Sequence, residues 1–229
     1  MFTVTGEFEI HLTVRPVTGT ADPDSPVPYR ALERYAADRA WKFAHIVLDR
    51  GRVPSQPMLT LRADGTLTAA RSAADDAAAG LAGAGFTVVR TKVEATPWAE
   101  GVPVSDEGGR ALGPRYYFEH HIKLLLDAAE DTADDTADDT AGLLPLVGAH
   151  AAHLSRNARR IRNDGRAERF VTQRCRLVGR DTAGRRLEAL AAALRADGRE
   201  IVSMEREFVV YDSDEGLDAG WIPEEEAAR

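Results

Sequence analysis

Apolar and polar residues alternate along residues 2–14, as expected of a half-buried β-strand. Phe8 and Ile10 lie on one side of this strand, because successive strand residues point to opposite faces. Glu9 and His11 therefore lie on the other side. A helix, two β-rich runs, a long alanine-rich helix and a final strand follow, with predicted ranges 29–40, 41–49, 57–62, 67–84 and 86–95. This βαββαβ order is typical of the ferredoxin-like fold.

A second copy of this pattern follows in the chain. The heptapeptide FEIHLTV at residues 8–14 matches FEHHIKL at residues 118–124, and residues 85–94 match residues 198–207 without a gap. Two shorter matches keep the same order: Ala44-His45-Ile46 with Ala152-His153-Leu154, and residues 58–62 with residues 170–174. The second copy is predicted to have strands and helices over residues 115–126, 143–152, 153–160, 168–178, 182–197 and 200–211.

These patterns predict an α+β protein made of two tandem ferredoxin-like βαββαβ repeats, whose sheets face each other or form a barrel. The first repeat spans residues 1–98 and the second spans residues 115–222, with an insert at 127–142 and a tail at 223–229. The insert repeats the tetrapeptide Thr-Ala-Asp-Asp and carries most of the net charge of −8. Such a stretch is typical of a solvated loop or, alternatively, of an acidic interaction segment.

The polar faces of the two predicted sheets carry matching residues. In a ferredoxin-like unit both helices cover one face of the sheet, so the other face needs water or a partner. If the two copies bring these faces together, they enclose a polar chamber; the alternative is a solvated open sheet with ordinary ion pairs. Buried ionisable groups are costly unless they bind something, which favours a functional chamber. The matching pairs are His11 and His121, Glu9 and Glu119, Thr60 and Thr172, Arg62 and Arg174, and Glu94 and Glu207.

The residues of this chamber could support three kinds of chemistry. Imidazole and carboxylate groups suit a divalent metal ion, and they also transfer protons, whereas guanidinium and ammonium groups bind anions. The predicted metal ligands are His11, Glu94, His121 and Glu207. The predicted catalytic residues are His11, His121, Glu9 and Glu119. The predicted ligand-binding residues are Thr60, Arg62, Lys92, Thr172, Arg174 and Arg176.

Two known families share parts of this pattern. The pairs His11 with Glu94 and His121 with Glu207, on first and last strands, resemble the duplicated vicinal-oxygen-chelate enzymes, which implies a metal ion held between two modules. The segment Glu7-Phe8-Glu9-Ile10-His11 resembles the ExExK strand that opens the CYTH triphosphate-tunnel family, with His11 in place of the lysine. That resemblance implies a barrel interior with glutamate-bound metal and with phosphates bound by basic residues, here Arg62, Lys92, Arg174 and Arg176.

Two other functions compete with a metal-dependent or acid/base enzyme. His11-Leu12-Thr13 and His153-Leu154-Ser155 have the HxT/S form of two-histidine phosphoesterases, in which one histidine is the base and the other the acid. Residues 156–186 carry eleven arginines against three acidic residues, which suits a non-catalytic binding or scaffold protein. This arginine-rich stretch is compatible with nucleic acid but does not favour it, because Phe170 is its only aromatic residue.

Composition narrows the class of protein further. With 229 residues, 44% of them hydrophobic, the chain can bury a core, and no apolar run approaches the roughly 18 residues of a membrane span. We therefore expect a cytoplasmic chain without a membrane partner. One cysteine excludes an internal disulfide and a four-cysteine zinc site. The residues expected only to pack are His45, His120, His153, Cys175, Trp98 and Trp221, the last of these in a tail segment that could contribute a lid to the chamber.

The residues therefore favour a small-molecule enzyme slightly over a binding protein. Its ligand is expected to be anionic, either phosphorylated or carboxylated, and to bind in the chamber between the two repeats. A divalent metal ion is the cofactor that the histidine and glutamate pairs suggest.

Overall fold

Two βαββαβ units follow each other along the chain. The structure is a computed structural model and describes residues 2–15, 29–126, 139–158 and 166–222. The first unit consists of β1 (Thr5–Val14), α1 (Arg30–Ala37), β2 (Lys42–Leu48), β3 (Ser55–Thr66), α2 (Leu67–Gly83) and β4 (Val88–Ala95). Helix α3 (Asp106–Leu112) precedes the second unit, which consists of β5 (Tyr117–Leu126), α4 (Asp139–Ala149), β6 (Ala152–Asn157), β7 (Ala167–Arg176), α5 (Arg180–Ala196) and β8 (Glu200–Asp212). A 3-10 turn, Glu215–Asp218, comes after β8.

The eight described strands form one closed antiparallel barrel in the order β1-β3-β2-β6-β7-β5-β8-β4. Within each unit the order, β4-β1-β3-β2 or β8-β5-β7-β6, is that of the ferredoxin-like fold. The units join where β2 pairs with β6 and where β4 pairs with β8. The protein is therefore α+β with two tandem ferredoxin-like repeats, and of the two predicted arrangements the barrel is the one that forms.

Helices cover the outside of the barrel because the outward side of each central strand is apolar. In the first unit, Ile10 and Leu12 of β1 are fully buried in one cluster with Leu81 of α2. In the second unit, Ile122 of β5 is buried with Leu190 of α5. Each fully buried side chain of this size contributes about 1.5–3 kcal/mol to the free energy of folding. Since these apolar residues face the helices, the polar residues that alternate with them face the barrel interior.

The segment between the two predicted repeats contains a helix. This helix is α3, and the Ser105 hydroxyl caps its first turn by accepting a hydrogen bond from the Gly108 amide at 3.3 Å. Gly109 in the middle of α3 is buried against the backbone of Val178, where any larger residue would clash. This close approach fixes α3 to the loop before α5.

Parts of three predicted segments lie outside the described residues. These parts are residues 127–138 of the acidic insert, residues 159–165 of the arginine-rich stretch and the tail 223–229. The last residues of the insert, from 139 onward, begin α4. Among the described helices, none combines the length and the apolar character needed to cross a membrane.

One of the four repeat matches was wrong by three residues. Lys42 of β2 lies opposite Thr60 of β3, and His153 of β6 lies opposite Thr172 of β7, so His153 corresponds to Lys42 and not to His45. Because three is an odd number, this shift in register exchanges the two faces of the strand. The similar tripeptides around His45 and His153 thus hid a difference in register.

The residues expected only to pack do so, with one exception. His45 is fully buried beside Tyr29, with its Nε2 2.8 Å from the Ser55 hydroxyl. His120 and Cys175 are buried in the core, and burial raises the pKa of the Cys175 thiol to about 11, so this thiol is unreactive. Trp98 was expected to pack on the barrel, but its side chain is 60% exposed.

Replacing Gly109 tests the contact between α3 and the second repeat. A Cβ atom at this position would lie 2.2 Å from the Val178 carbonyl oxygen. We expect Gly109→Ala to lower the free energy of unfolding by about 1–3 kcal/mol or more, as overpacking does. Gly184→Ala is the matched control, because a Cβ at Gly184 in α5 would meet no atom within 4 Å; it should raise stability by about 0.5–1 kcal/mol. Urea unfolding of both variants measures the difference, and equal effects would contradict the packing of α3.

The buried imidazole of His120 predicts an acid-sensitive core. Burial lowers the pKa of His120 to about 4, against 6.5 in the unfolded chain, although Gln173 partly offsets this. The unfolded state therefore binds more protons between pH 6.5 and pH 4, so stability falls as the pH drops through this range. We expect His120→Gln to flatten this part of the curve of unfolding free energy against pH, measured by urea unfolding in EDTA. Parallel curves for the two proteins would show that His120 is not neutral in the folded state.

Candidate functional site

The barrel encloses a cavity of about 210 Å³ that residues of both repeats line. Its polar wall comes from the inward sides of β1, β3 and β4 in the first repeat and of β5, β7 and β8 in the second. Its apolar wall includes Phe43, Met58 and Phe170. Trp221, which follows the last strand, closes one side: its ring is 5% exposed and its Nε1 donates to the Leu154 carbonyl oxygen at 2.8 Å. The predicted packing of Trp221 is thus confirmed.

Each repeat places one imidazole at the cavity, and a threonine hydroxyl contacts Nδ1 of that ring. His11 of β1 lies opposite Thr60 of β3, and its Nδ1 is 2.9 Å from the Thr60 hydroxyl. His121 of β5 lies opposite Thr172 of β7, and its Nδ1 is 3.0 Å from the Thr172 hydroxyl. Both rings are therefore oriented in the same way, with Nε2 directed at glutamates.

The glutamates that face these rings come from the last strand of each repeat and, in the case of Glu119, from β5 itself. His11 Nε2 is 2.7 Å from Glu94 Oε2, and His121 Nε2 is 3.3 Å from Glu207 Oε2 and 3.4 Å from Glu119 Oε1. Burial opposes the charged form of His121, but the hydrogen bonds to Glu119 and Glu207 outweigh it and raise its pKa to about 10. Burial and the nearby Glu94 raise the pKa of Glu207 to about 7, although His121 opposes this.

An ammonium group lies between two of the carboxylates. Lys92 Nζ is 2.6 Å from Glu94 Oε1 and 2.5 Å from Glu119 Oε1. Burial disfavours the charge on Lys92, but the two carboxylates hold its pKa well above the usual value. Burial likewise works against the charge on Glu94 and Glu119. Lys92 and then His11 nevertheless lower the pKa of Glu94, and Arg174 and then Lys92 hold the pKa of Glu119 well below its usual value.

Two arginines complete the polar wall. Arg174 of β7 binds Glu119 and, through Nη2, Asp218 Oδ2 at 2.6 Å. Arg90 of β4 binds Asp212 through two hydrogen bonds of 2.9 and 2.5 Å and Asp218 Oδ2 at 2.9 Å. Burial opposes ionisation of Asp218, but Arg174 and Arg90 lower its pKa to about 2. Asp218 belongs to the turn after β8 and not to the barrel itself.

Six of these side chains form two equivalent groups of possible metal donors. In the first group, here called the Glu9 triad, one donor atom each from Glu9, His11 and Glu207 lie within 4.8 Å of one another. In the second, the Glu119 triad, the same holds for Glu119, His121 and Glu94. The strand registers make these groups counterparts, since Glu9 lies opposite Glu94 as Glu119 lies opposite Glu207. Each triad therefore combines residues of both repeats.

Most predicted site residues meet at the cavity, but two do not. Arg62 is at the rim, where its side chain is 83% exposed and binds Glu9 Oε1 at 2.7 and 3.0 Å. Arg176 lies away from the cavity and binds Glu215 and the Pro114 carbonyl. Of the matching pair Arg62 and Arg174, both predicted to bind the ligand, only Arg174 lines the cavity. The residues that are brought together are Glu9, His11, Thr60, Lys92, Glu94, Glu119, His121, Thr172, Arg174 and Glu207.

Sequence reasoning missed several residues of the polar wall. Arg90, Lys92 and Glu94 are alternate residues of one strand, so the sequence already indicated that Arg90 faces the barrel interior. Gln56 precedes the predicted start of β3 at residue 57, and the structure extends this strand to Ser55. Asp218 has no periodic signal at all, because it lies in an irregular segment that returns to the barrel after β8.

The positions of the residues give less support to the two alternative functions, a two-histidine phosphoesterase and an arginine-rich binding protein. The His153 ring lies 5.8 Å from that of Trp221, and His153 is not among the residues that line the cavity, although Ser155 of the same motif is, so the two histidines of the HxT/S motifs do not meet there. The arginine-rich stretch does not form one basic surface in its described part. Arg174 and Arg176 are almost fully buried, and Arg166 pairs with Glu200 at 2.6 Å.

No protein-family model and no curated protein matches the chain. Solved structures align with it at low identity. The regulatory subunit of aspartate kinase from Thermus thermophilus is 15% identical over 83% of this chain and 94% of its own, with a TM-score of 0.29. A mutant chlorite dismutase from Candidatus Nitrospira defluvii is 14% identical over 98% and 97%, with a TM-score of 0.28. The imidazole complex of chlorite dismutase from the same organism is 12% identical over 98% and 96%, with a TM-score of 0.29. The architecture of the chain rests on its own strand pairing.

Proposed function

We propose that the chain is a divalent-metal-dependent enzyme that acts on a small anionic molecule in the barrel cavity. The Glu9 triad would hold the metal ion. One observation carries the proposal: the two triads are equivalent in donors and position, but only the Glu119 triad holds a buried ammonium group, that of Lys92, between two of its carboxylates.

The difference between the triads comes from a single pair of equivalent positions. Lys92 lies opposite His11 in the β1–β4 pairing, and Glu205 lies opposite His121 in the β5–β8 pairing. At the position equivalent to Lys92 the second repeat therefore has an exposed carboxylate, Glu205, which lines the cavity. Among the described residues, no ammonium or guanidinium pairs with Glu207. The cationic partners of this triad are the His121 imidazole, 3.3 Å from Glu207 Oε2, and Arg62 at the rim, and neither lies between its two carboxylates as Lys92 does in the Glu119 triad. Two carboxylates that converge without a cation between them favour an external cation at the Glu9 triad.

The donor atoms of the Glu9 triad are available to a metal ion. Arg62 uses only Oε1 of Glu9, so the other oxygen is free of that contact. The buried Oε2 of Glu207 has the His121 imidazole 3.3 Å away and no shorter hydrogen bond within the described part of the chain. His11 would exchange its Nε2 contact with Glu94 for the metal, while Thr60 keeps the ring in place from the other side. Metal-binding histidines are commonly oriented in this way by a second hydrogen bond.

The donor set indicates the kind of metal and its use. One imidazole and two carboxylates suit divalent first-row ions such as Mn²⁺, Fe²⁺ and Zn²⁺. Three protein ligands leave a position for water or substrate, as in catalytic metal sites. A metal ion at the Glu9 triad would bind an anionic substrate through this open position and polarise it. It would also explain how a cavity rich in glutamates can accept an anion.

Removing one predicted ligand should release the metal. We expect about one divalent ion per wild-type chain by elemental mass spectrometry, and an affinity more than about 100-fold lower in Glu207→Gln, since even the outer partners of metal ligands are worth about 10- to 100-fold. Asp214→Ala, an exposed acid after β8, is the control and should keep the metal. A wild-type chain that binds no divalent ion from a Mn²⁺ or Zn²⁺ titration would contradict the proposal.

Changing the residue that distinguishes the triads gives a sharper test. Glu205→Lys should place an ammonium at the Glu9 triad, as Lys92 does at the Glu119 triad, and thereby abolish metal binding without loss of thermal stability. Glu205→Gln, which adds no positive charge, should retain the metal. Isothermal titration with Mn²⁺ and thermal unfolding of both variants make the comparison. Undiminished Mn²⁺ binding by Glu205→Lys would show that the metal does not use the Glu9 triad.

A further inference from the structure

Two buried arginines on the cavity wall hold a carboxylate that does not belong to the barrel. Arg90 Nη1 and Arg174 Nη2 both donate to Oδ2 of Asp218, at 2.9 and 2.6 Å. Gln56 Nε2 donates to the other oxygen, Oδ1, at 3.1 Å. Gln56, Arg90 and Arg174 come from three different strands, and all of them line the cavity. Both oxygens of one carboxylate are thus bound by donors that converge from the barrel.

The arginines are oriented by partners other than Asp218. Arg90 uses Nε and Nη2 to bind Asp212, which is also bound by the Tyr117 hydroxyl at 2.8 Å. Arg174 uses Nε to bind Glu119. The atoms that hold Asp218 are therefore directed at the same point by contacts within the barrel. Guanidinium groups fixed in this way form a prepared site for a carboxylate or phosphate group.

Asp218 reaches this point from the segment that follows the last strand. The chain leaves the barrel after Asp212 and returns through the buried residues Leu217, Asp218 and Trp221. Asp218 and Trp221 both line the cavity, so this tail segment supplies part of its wall. An internal carboxylate thereby lies where an external anion would bind.

We propose that Gln56, Arg90 and Arg174 form the anion-recognition site of the cavity and that Asp218 occupies it as an internal ligand. The carboxylate or phosphate group of a substrate would take the place of Asp218 as the tail segment moves aside. This deepens the proposed function, since it assigns the anionic part of the substrate to a place, but the site itself needs no metal ion.

Replacing Asp218 should expose the site to small anions. In EDTA, so that metal binding plays no part, we expect Asp218→Ala to bind acetate or inorganic phosphate at least tenfold more tightly than the wild type by isothermal titration calorimetry. Asp214→Ala is the control, and its affinity should match that of the wild type. Adding Arg174→Met to Asp218→Ala should remove the gain. The tighter of the two anions would identify the group, planar or tetrahedral, that the site prefers.

The experiment decides the question even if the variant is unstable. If Asp218→Ala is unfolded in buffer, acetate or phosphate should restore its folding more than chloride does at equal ionic strength. A folded Asp218→Ala that binds neither anion better than Asp214→Ala does would overturn the proposal. So would an unfolded variant on which all three salts act alike.

Movement of the tail segment can be followed at Trp221. A Trp41→Phe/Trp98→Phe background leaves Trp221 as the only tryptophan, since the chain has three. In that background Asp218→Asn keeps the tail segment but weakens its hold, so acetate or phosphate should shift the Trp221 emission to longer wavelength, whereas chloride should not. An unchanged emission, with the anion bound in Asp218→Ala, would show that Asp218 is a fixed structural partner and not a replaceable ligand.

Discussion

Charge compensation inside a closed barrel is the constraint on which the rest of this structure depends. The inward faces of the strands carry glutamates, histidines, arginines and lysines, in a barrel whose interior is just wide enough for side chains or one small ligand. Each such charge loses hydration when the barrel closes, so it must find a partner of opposite sign. Lys92 between Glu94 and Glu119, and Asp218 between Arg90 and Arg174, supply two of these partners. Removing one member of such a pair typically costs about 3–5 kcal/mol, because the other is left buried and unpaired.

Duplication of the βαββαβ unit explains why the charged residues of the barrel occur in equivalent pairs. Differences between the two copies explain why the proposed metal site forms at only one triad. Two copies of one unit place a threonine, a histidine and two glutamates in equivalent positions, and the barrel brings both sets together. The copies differ at Lys92 and Glu205, which leaves the Glu119 triad neutralised by the protein and the Glu9 triad more open to the cavity. The two triads thus have equivalent donor atoms but different cations. Lys92 of the protein lies at the Glu119 triad, and an external metal ion is proposed for the Glu9 triad.

Much of this arrangement could be predicted from the sequence, because strands alternate with a strict period of two. That period placed His11, Glu9 and Glu94 on one inward face, and the repeat predicted their counterparts in the second unit. The alternation of faces gave a wrong prediction near the rim of the barrel, where Arg62 should point inward but extends into solvent. It could not locate Asp218, which acts through an irregular segment, and similarity of short peptides misplaced β6 by three residues. Long-range contacts of loops and tails have no local signature, so they appear only in the folded chain.

A metal ion at the Glu9 triad would be seen most directly by anomalous X-ray diffraction from crystals of the full chain grown with Mn²⁺, with data collected at the manganese absorption edge. We expect one strong anomalous peak between the side chains of Glu9, His11 and Glu207, and none at the Glu119 triad, where the Lys92 ammonium lies. A peak at the Glu119 triad with Lys92 displaced, or no peak inside the barrel at all, would contradict this expectation.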